Sequence, residues 1–286
     1  MLKLGKREFG AGEFAVMAIV NRTPDSFYDH GATFAFETAL ARTRDVIEQG
    51  ADIVDIGGVK AAPGAAVDVA EELERTVDFV AAVRTAHPDV IISVDTWRHE
   101  VGAAVCEAGA DLLNDSWGGH DPLLAEVAAQ YRVGLVCTHV GGNTPRTRPF
   151  RVSYPDVMAD VLTRTLALAE RAADLGVDPC SILIDPAHDF GKNTYHSLEI
   201  TRRLDEMVAT GWPVLVSLSN KDFVGDTLDL PVDGRLVGTL AATAVCAWHG
   251  ATVYRAHNVV ETCQALNMVS SIRGDRAPVR VLRGMV

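Results

Sequence analysis

The 286-residue sequence predicts an α/β protein, a (β/α)8 TIM barrel in a single domain spanning 1–286. Three observations carry that expectation. Short β-rich apolar runs alternate with longer helical patterns along the chain, eight such units follow one another, and no Pro/Ser/Gly-rich linker interrupts them. Strands separated by a helix pair in parallel through right-handed crossovers. Eight units, on the order of 250 residues, is the number at which such a sheet closes on itself.

The first strand is read at Ala15–Val20 and its helix at Phe36–Gln49. Next come Asp52–Ile56 with Asp68–Thr85, Val90–Val94 with His99–Ala108, and Ala110–Leu113 with Pro122–Tyr131. Val133–Cys137 leads to Tyr154–Leu175 and Ser181–Ile184 to Thr194–Ala209. Val214–Leu218 leads to Asp233–His249, and Thr252–Tyr254 to a last helix at Val259–Ile272. The strand segments are short and rich in Val, Ile and Leu, as strands covered on both faces require. Gly50, Gly109, Gly176, Gly211 and Gly250 each stand just before the next strand, where a left-handed residue closes a helix. Glu48-Gln-Gly-Ala-Asp52 and Glu107-Ala-Gly-Ala-Asp111 read as one helix-to-strand turn used twice.

A net charge of −12 and a pI near 5.1 argue against nucleic acid or a membrane surface as a partner, since both repel an acidic protein. Met1–Gly10 is charged and lacks the apolar core of a signal peptide, and no apolar run reaches the roughly 18 residues of a membrane span. Cys106, Cys137, Cys180, Cys246 and Cys263 are scattered and never form Cys-x-x-Cys pairs. They read as reduced core thiols and give a cytoplasmic expectation. No His/Cys spacing points to zinc, and His87, His99, His196 and His249 read as surface residues of helices or their caps.

A barrel of this kind works at the carboxyl ends of its strands. There the sequence places Asn21, Asp95, Asn114, Asp115, His139 and Asp185, then Ser219-Asn220-Lys221 and Arg255-Ala256-His257. One strand-end Asp or Asn often serves only a neighbouring turn, but amides and carboxylates at four strand ends together suit a flat heterocycle with several N–H donors and ring nitrogens. Lys221, Arg255 and His257 gather after the last two strands, where barrels bind phosphate. The residues therefore point to a heterocycle carrying a phosphate or pyrophosphate.

At these positions the sequence resembles the dihydropteroate synthase family along nearly its whole length. Met17 to Asp29 is similar to the family's opening signature, Asn-Val-Thr-Pro-Asp-Ser-Phe-Ser-Asp, and Gly50 to Gly58 to its second. Ser93-Val-Asp95-Thr96, Asn114-Asp115, Asp185-Pro186, Phe190-Gly191-Lys192, Ser219 with Lys221, and Arg255-Ala-His257 follow in order and spacing. The family joins dihydropterin pyrophosphate to p-aminobenzoate and expels pyrophosphate. The resemblance implies that Asp95, Asn114, Asp185 and Lys221 hold the pterin, with Asp95, Asp185 and Lys221 as the catalytic set. It also implies that Asn21 ligates a Mg²⁺ on the pyrophosphate and that Arg255 and His257 grip its oxygens. Other expected ligands are an aryl amine or a sulfa-type molecule, and a homodimer through the C-terminal helices is implied.

Three departures fall in the substrate loops at 22–34 and 58–66 and after the seventh strand at 219–221. Where the family continues Glu-Ser-Thr-Arg-Pro-Gly, this chain reads Val59-Lys60-Ala61-Ala62-Pro63-Gly64, without the Thr and Arg that touch pyrophosphate and shape the aminobenzoate pocket. Ser-Arg-Lys becomes Ser219-Asn220-Lys221. Arg22 stands beside Asn21 in place of a small apolar residue, and Tyr28 and His30 replace Ser and Gly. Losing one donor aimed at transition-state charge costs roughly 10²–10³ in rate, so condensation is expected to be absent or severely weakened unless Arg22 or Lys60 substitutes as a cation. The alternatives are an active transferase, of the folate pathway or with a different amine acceptor, and a pterin-dependent methyltransferase. Lys221, Arg255 and His257 count against the latter, because methyl transfer needs no pyrophosphate grip. His188, Asp189 and Trp117 are expected to serve loop packing.

Overall fold

The computed structural model describes residues 1–23, 35–60, 64, 66–142, 144–147 and 152–284. An N-terminal hairpin of β1 (Leu2–Leu4) and β2 (Arg7–Phe9) precedes the barrel. The barrel strands are β3 (Ala15–Asn21), β4 (Ile53–Gly57), β5 (Ile91–Asp95), β6 (Leu112–Asp115), β7 (Gly134–Thr138), β8 (Ile182–Asp185), β9 (Leu215–Ser217) and β10 (Val253–Ala256). All pair in parallel in the order β8-β7-β6-β5-β4-β3-β10-β9. A parallel bridge between Ile184 and Val214 joins the two ends, with the Ile184 N–H donating to Pro213 O at 2.9 Å.

Helices α1 (Phe36–Glu48), α2 (Val69–Ala86), α3 (His99–Glu107), α4 (Leu123–Tyr131), α5 (Val157–Asp174), α6 (Thr194–Arg202), α7 (Leu204–Val208), α8 (Asp222–Leu228), α9 (Leu236–His249) and α10 (Val259–Arg273) surround it. Asp68 and Asp156 cap α2 and α5 by accepting from the N–H groups of Glu71 and Ala159, which satisfies donors a helix start leaves open. The segment read as one helix over Thr194–Ala209 is two, broken at Arg203. Helix α8 falls in a stretch to which sequence patterning assigns no element. Among the described residues no helix is long and apolar enough to cross a membrane.

The doubled turn proves to be a structural device. Gly50 and Gly109 sit at φ 103° and 113°, and each is followed by an Ala whose N–H reaches back to the helix (Ala51 to Val46 O, Ala110 to Val105 O). The aspartates that follow are used alike. Asp52 accepts from Val16 N and Asp111 from Ile92 N, both at 2.9 Å. Each ties the foot of one strand to its neighbour.

Alternation divides the core in two. Val16, Ala18 and Val20 face the helices, while Ala15 and Met17 face inward with Ile53, Ile91, Leu112, Val136, Leu183, Leu215 and Val253. Leu2, Leu4 and Phe9 of the hairpin join this inner cluster. The hairpin is thus an apolar plug for the closed end of the barrel, a role hidden in a segment that reads as merely charged.

Candidate functional site

The first six barrel strands run one or two residues further than their apolar runs, so Asn21, Asp95, Asn114 and Asp185 lie inside the ladder. Asn21 is in register with Gly57, Gly57 with Asp95, and Asp95 with Asn114. Thr138 is in register with Asp185 on the opposite wall. The period of two that sends Met17, Ile53, Ile91, Leu112 and Leu183 inward sends Asn21, Asp55, Asp95, Asn114 and Asp185 inward above them. Asn21, Asp95, Asn114 and Asp185 therefore converge at the open mouth.

One half of that mouth is a closed polar network. The fully buried Asp55 accepts from Ser93 Oγ at 2.6 Å, from Asn114 Nδ2 at 3.3 and 3.2 Å, and from Arg255 Nε at 2.6 Å. Arg255 also donates from Nη2 to Asp95 at 3.2 Å, and Ser116 Oγ donates to the other Asp95 oxygen. Burial pushes the Asp95 carboxyl up to about 7; Arg255 opposes the rise and the Asp55 charge adds to it. Burial works against the Arg255 charge, but Asp55 and Asp95 outweigh it and raise the guanidinium's pKa.

The other half is looser. Asp185 accepts from the Ala187 N–H at 2.6 Å; burial raises its pKa, and the Lys221 charge opposes the rise. Lys221 opens α8, donates from Nζ to His188 O, and lies 4.7 Å from the centre of the Phe190 ring. Burial lowers its pKa. His257 meets Ser219 Oγ through Nδ1 at 3.1 Å and through its N–H at 3.2 Å.

Behind Asp185 the chain takes positive φ at Ala187 (48°), Asp189 (70°) and Gly191 (58°). Non-glycine residues adopt that region only when their surroundings hold them there, and Lys192 does the holding. Its amine donates to Phe190 O at 2.8 Å, Ala187 O at 3.1 Å and His139 O at 3.2 Å, and sits 2.8 Å from His139 Nδ1. His139 is therefore not a mouth residue: it faces the outer layer and meets Asp160 through Nε2 at 2.7 Å. Burial, reinforced by the Lys192 charge, lowers its pKa to about 4. Asp115 also departs from its expected place, pointing outward to accept from Trp117 N and Gly119 N at 2.9 and 2.6 Å.

His188, Asp189 and Trp117 serve packing, as expected. His188 stacks on Phe223, and Asp189 accepts from Phe223 N and Ser197 Oγ. Trp117 packs edge-on against Trp97 and Phe190.

Around the rewritten positions, Val59 is buried with Trp97 and Trp117, Arg75 holds Gly58 O at 2.8 Å, and Arg146 donates to Lys60 O. Tyr28, His30, Ala61, Ala62 and Pro63 lie outside the described residues. Arg22 is 8% exposed and turns outward. Its guanidinium lies 5.5 and 5.2 Å from the rings of Phe36 and Phe79, and Nε donates to Arg75 O at 3.4 Å. Burial and the Arg75 charge lower its pKa. Asn220 occupies a left-handed turn at φ 56°, with its N–H on Thr239 Oγ1.

Sequence reasoning assigns no role to Asp55, Ser93, Ser116 or Thr138. Counting in twos from Ile53, Ile91, Leu112 and Val136 would mark all four as inward-facing polar groups.

An eight-stranded parallel barrel with amides, carboxylates and cations around its open mouth defines the class: a (β/α)8 protein with a polar site at its strand ends. Residues 17–257 match the model of the family described as pterin binding enzyme. The chain is 56% identical to a Mycobacterium leprae (strain TN) protein named inactive dihydropteroate synthase 2, over 98% of this chain and 97% of that one. It is 36% identical to the dihydropteroate synthase of Bacillus subtilis (strain 168), over 90% of this chain and 88% of that one. A crystal structure of the Yersinia pestis dihydropteroate synthase in complex with a sulfonamide drug superposes with a TM-score of 0.90 at 32% identity, covering 96% and 99% of the two chains. The chain belongs to the dihydropteroate synthase family of pterin-binding barrels.

Proposed function

We propose that this protein binds a pterin in its barrel mouth and has lost, wholly or nearly, the condensation of dihydropterin pyrophosphate with p-aminobenzoate. Asp95, Asn114, Asp185 and Lys221 take the pterin edge, and their convergence on one mouth supports the assignment. The pyrophosphate falls to His257 and to Arg255. The Arg255 guanidinium is already shared between Asp55 and Asp95, which weakens its hold on a further anion.

The position of Arg22 is the observation that carries the loss of activity. The new cation beside Asn21 faces Phe36 and Phe79 in the outer layer, so it does not replace the loop arginine that this chain lacks. The name of the Mycobacterium leprae relative supports the same reading.

Mg²⁺ fits only as an ion carried in by pyrophosphate. Asn21 offers one neutral amide oxygen, with Gly57 beside it leaving room, while the nearby carboxylates are held by Arg255. Such a sparse protein contribution suits Mg²⁺, which keeps waters and phosphate oxygens as ligands. Exposed Val237, Trp248, Met268 and Ile272 on α9 and α10 support a homodimer through that face, and the unpaired cysteines support a cytoplasmic location.

Steady-state assay with dihydropterin pyrophosphate, p-aminobenzoate and Mg²⁺ is expected to give turnover at least about 10³-fold below the low end of ordinary enzyme rates, ~1 s⁻¹. Turnover near ~1 s⁻¹ refutes the proposal.

A further inference from the structure

We infer that Thr138 is a specificity-determining residue of the mouth, making a hydrogen bond to the same edge of the bound heterocycle that meets Asn114 and Asp185. The inference rests on the pterin-binding reading and adds a contact that the family resemblance did not supply.

Three observations lead to it. Alternation on β7 places Leu135 and Cys137 in the outer core and Val136 in the inner cluster, so Thr138 faces inward at the last ladder position. Strand order seats it between β6, which ends in Asn114 and Asp115, and β8, which ends in Asp185, its register partner. Its hydroxyl is buried, the residue being 4% exposed, and Oγ1 has no hydrogen-bond partner among the described residues.

Its neighbours sharpen the contrast. Ser93 and Ser116, hydroxyls on the adjoining wall, are both bound to carboxylates, and the buried helix threonines Thr43, Thr76 and Thr165 all return to a carbonyl one turn back. A buried hydroxyl without a partner lowers stability, and at the mouth of a binding barrel a ligand is the natural partner. A threonine hydroxyl both donates and accepts. Between an amide and a carboxylate it suits a heterocycle edge where an exocyclic amine adjoins a ring nitrogen, the chemistry of an aminopyrimidine.

The test compares Thr138→Val, which keeps the shape and removes the hydroxyl, with Thr138→Ser, which restores it. Calorimetric titration uses 6-hydroxymethylpterin as the probe, and thermal melting is measured on the ligand-free proteins. Thr138→Val is expected to bind about fivefold more weakly and Thr138→Ser within about twofold of the parent. Ligand-free Thr138→Val is expected to melt higher by about 2 °C, because the unpaired hydroxyl is gone. A residue that only packs the wall would not produce weaker binding together with a more stable empty protein. Equal affinities for parent and Thr138→Val overturn the assignment of Thr138 alone. Failure of the parent to bind the probe at all overturns the pterin reading and this inference with it.

Discussion

Asp55 and Val59 stand four residues apart, on β4 and just beyond it, yet they belong to different regimes. Asp55 is fixed from three sides by Ser93, Asn114 and Arg255, and its identity follows from a network that needs a buried carboxylate. Val59 sits where the family carries Glu, among Trp97 and Trp117, and its neighbours require only an apolar group. The mouth wall is constrained by its own internal pairing, whereas Val59 beyond it packs in an apolar cluster. Removing one member of such a wall leaves another charge buried and unpaired.

The largest test of that comparison breaks the wall. Asp55→Ala removes the nearer of the two carboxylates that hold Arg255, at 2.6 Å against 3.2 Å for Asp95. It is expected to cost about 3 kcal/mol of stability, read by denaturant unfolding. A cost below about 1 kcal/mol, the range of an exposed ion pair, would make the network as dispensable as the loop.

A second test uses pH. The folded Asp95 carboxyl titrates at about 7, whereas an unfolded aspartate titrates near ~4. The folded state therefore holds the extra proton in between, and stability falls as pH rises from about 4 to about 7. Asp95→Asn is expected to flatten part of that fall, measured as melting temperature across the window. An unchanged slope would mean that Arg255 keeps Asp95 ionised throughout.

The smallest expected effect lies outside the wall. Arg22→Leu should leave affinity for pterin pyrophosphate within about twofold, because the guanidinium packs on Phe36 and Phe79. A tenfold loss by titration would place Arg22 in the anion corner.

What the sequence made legible divides along the same line. The eight strands and the glycine-closed turns follow from local patterns, and each expected strand lies within about two residues of the observed one, a normal uncertainty for element ends. The site ring was legible because polar residues at the ends of apolar runs converge once the barrel closes. The plug strands at Leu2–Leu4 and Arg7–Phe9 are three residues each, too short for a period to declare itself. The Arg255–Asp55 pair joins residues 200 positions apart and left no local trace. His139 and Asp115 misled for the opposite reason: both sit at strand ends, but on the outward phase of the alternation.

The two regions can be compared in a single titration series, adding 6-hydroxymethylpterin and p-aminobenzoate separately to the ligand-free protein. Saturable heat from the pterin and none from the amine is the predicted result. Saturable binding of p-aminobenzoate with no response to the pterin would contradict the account.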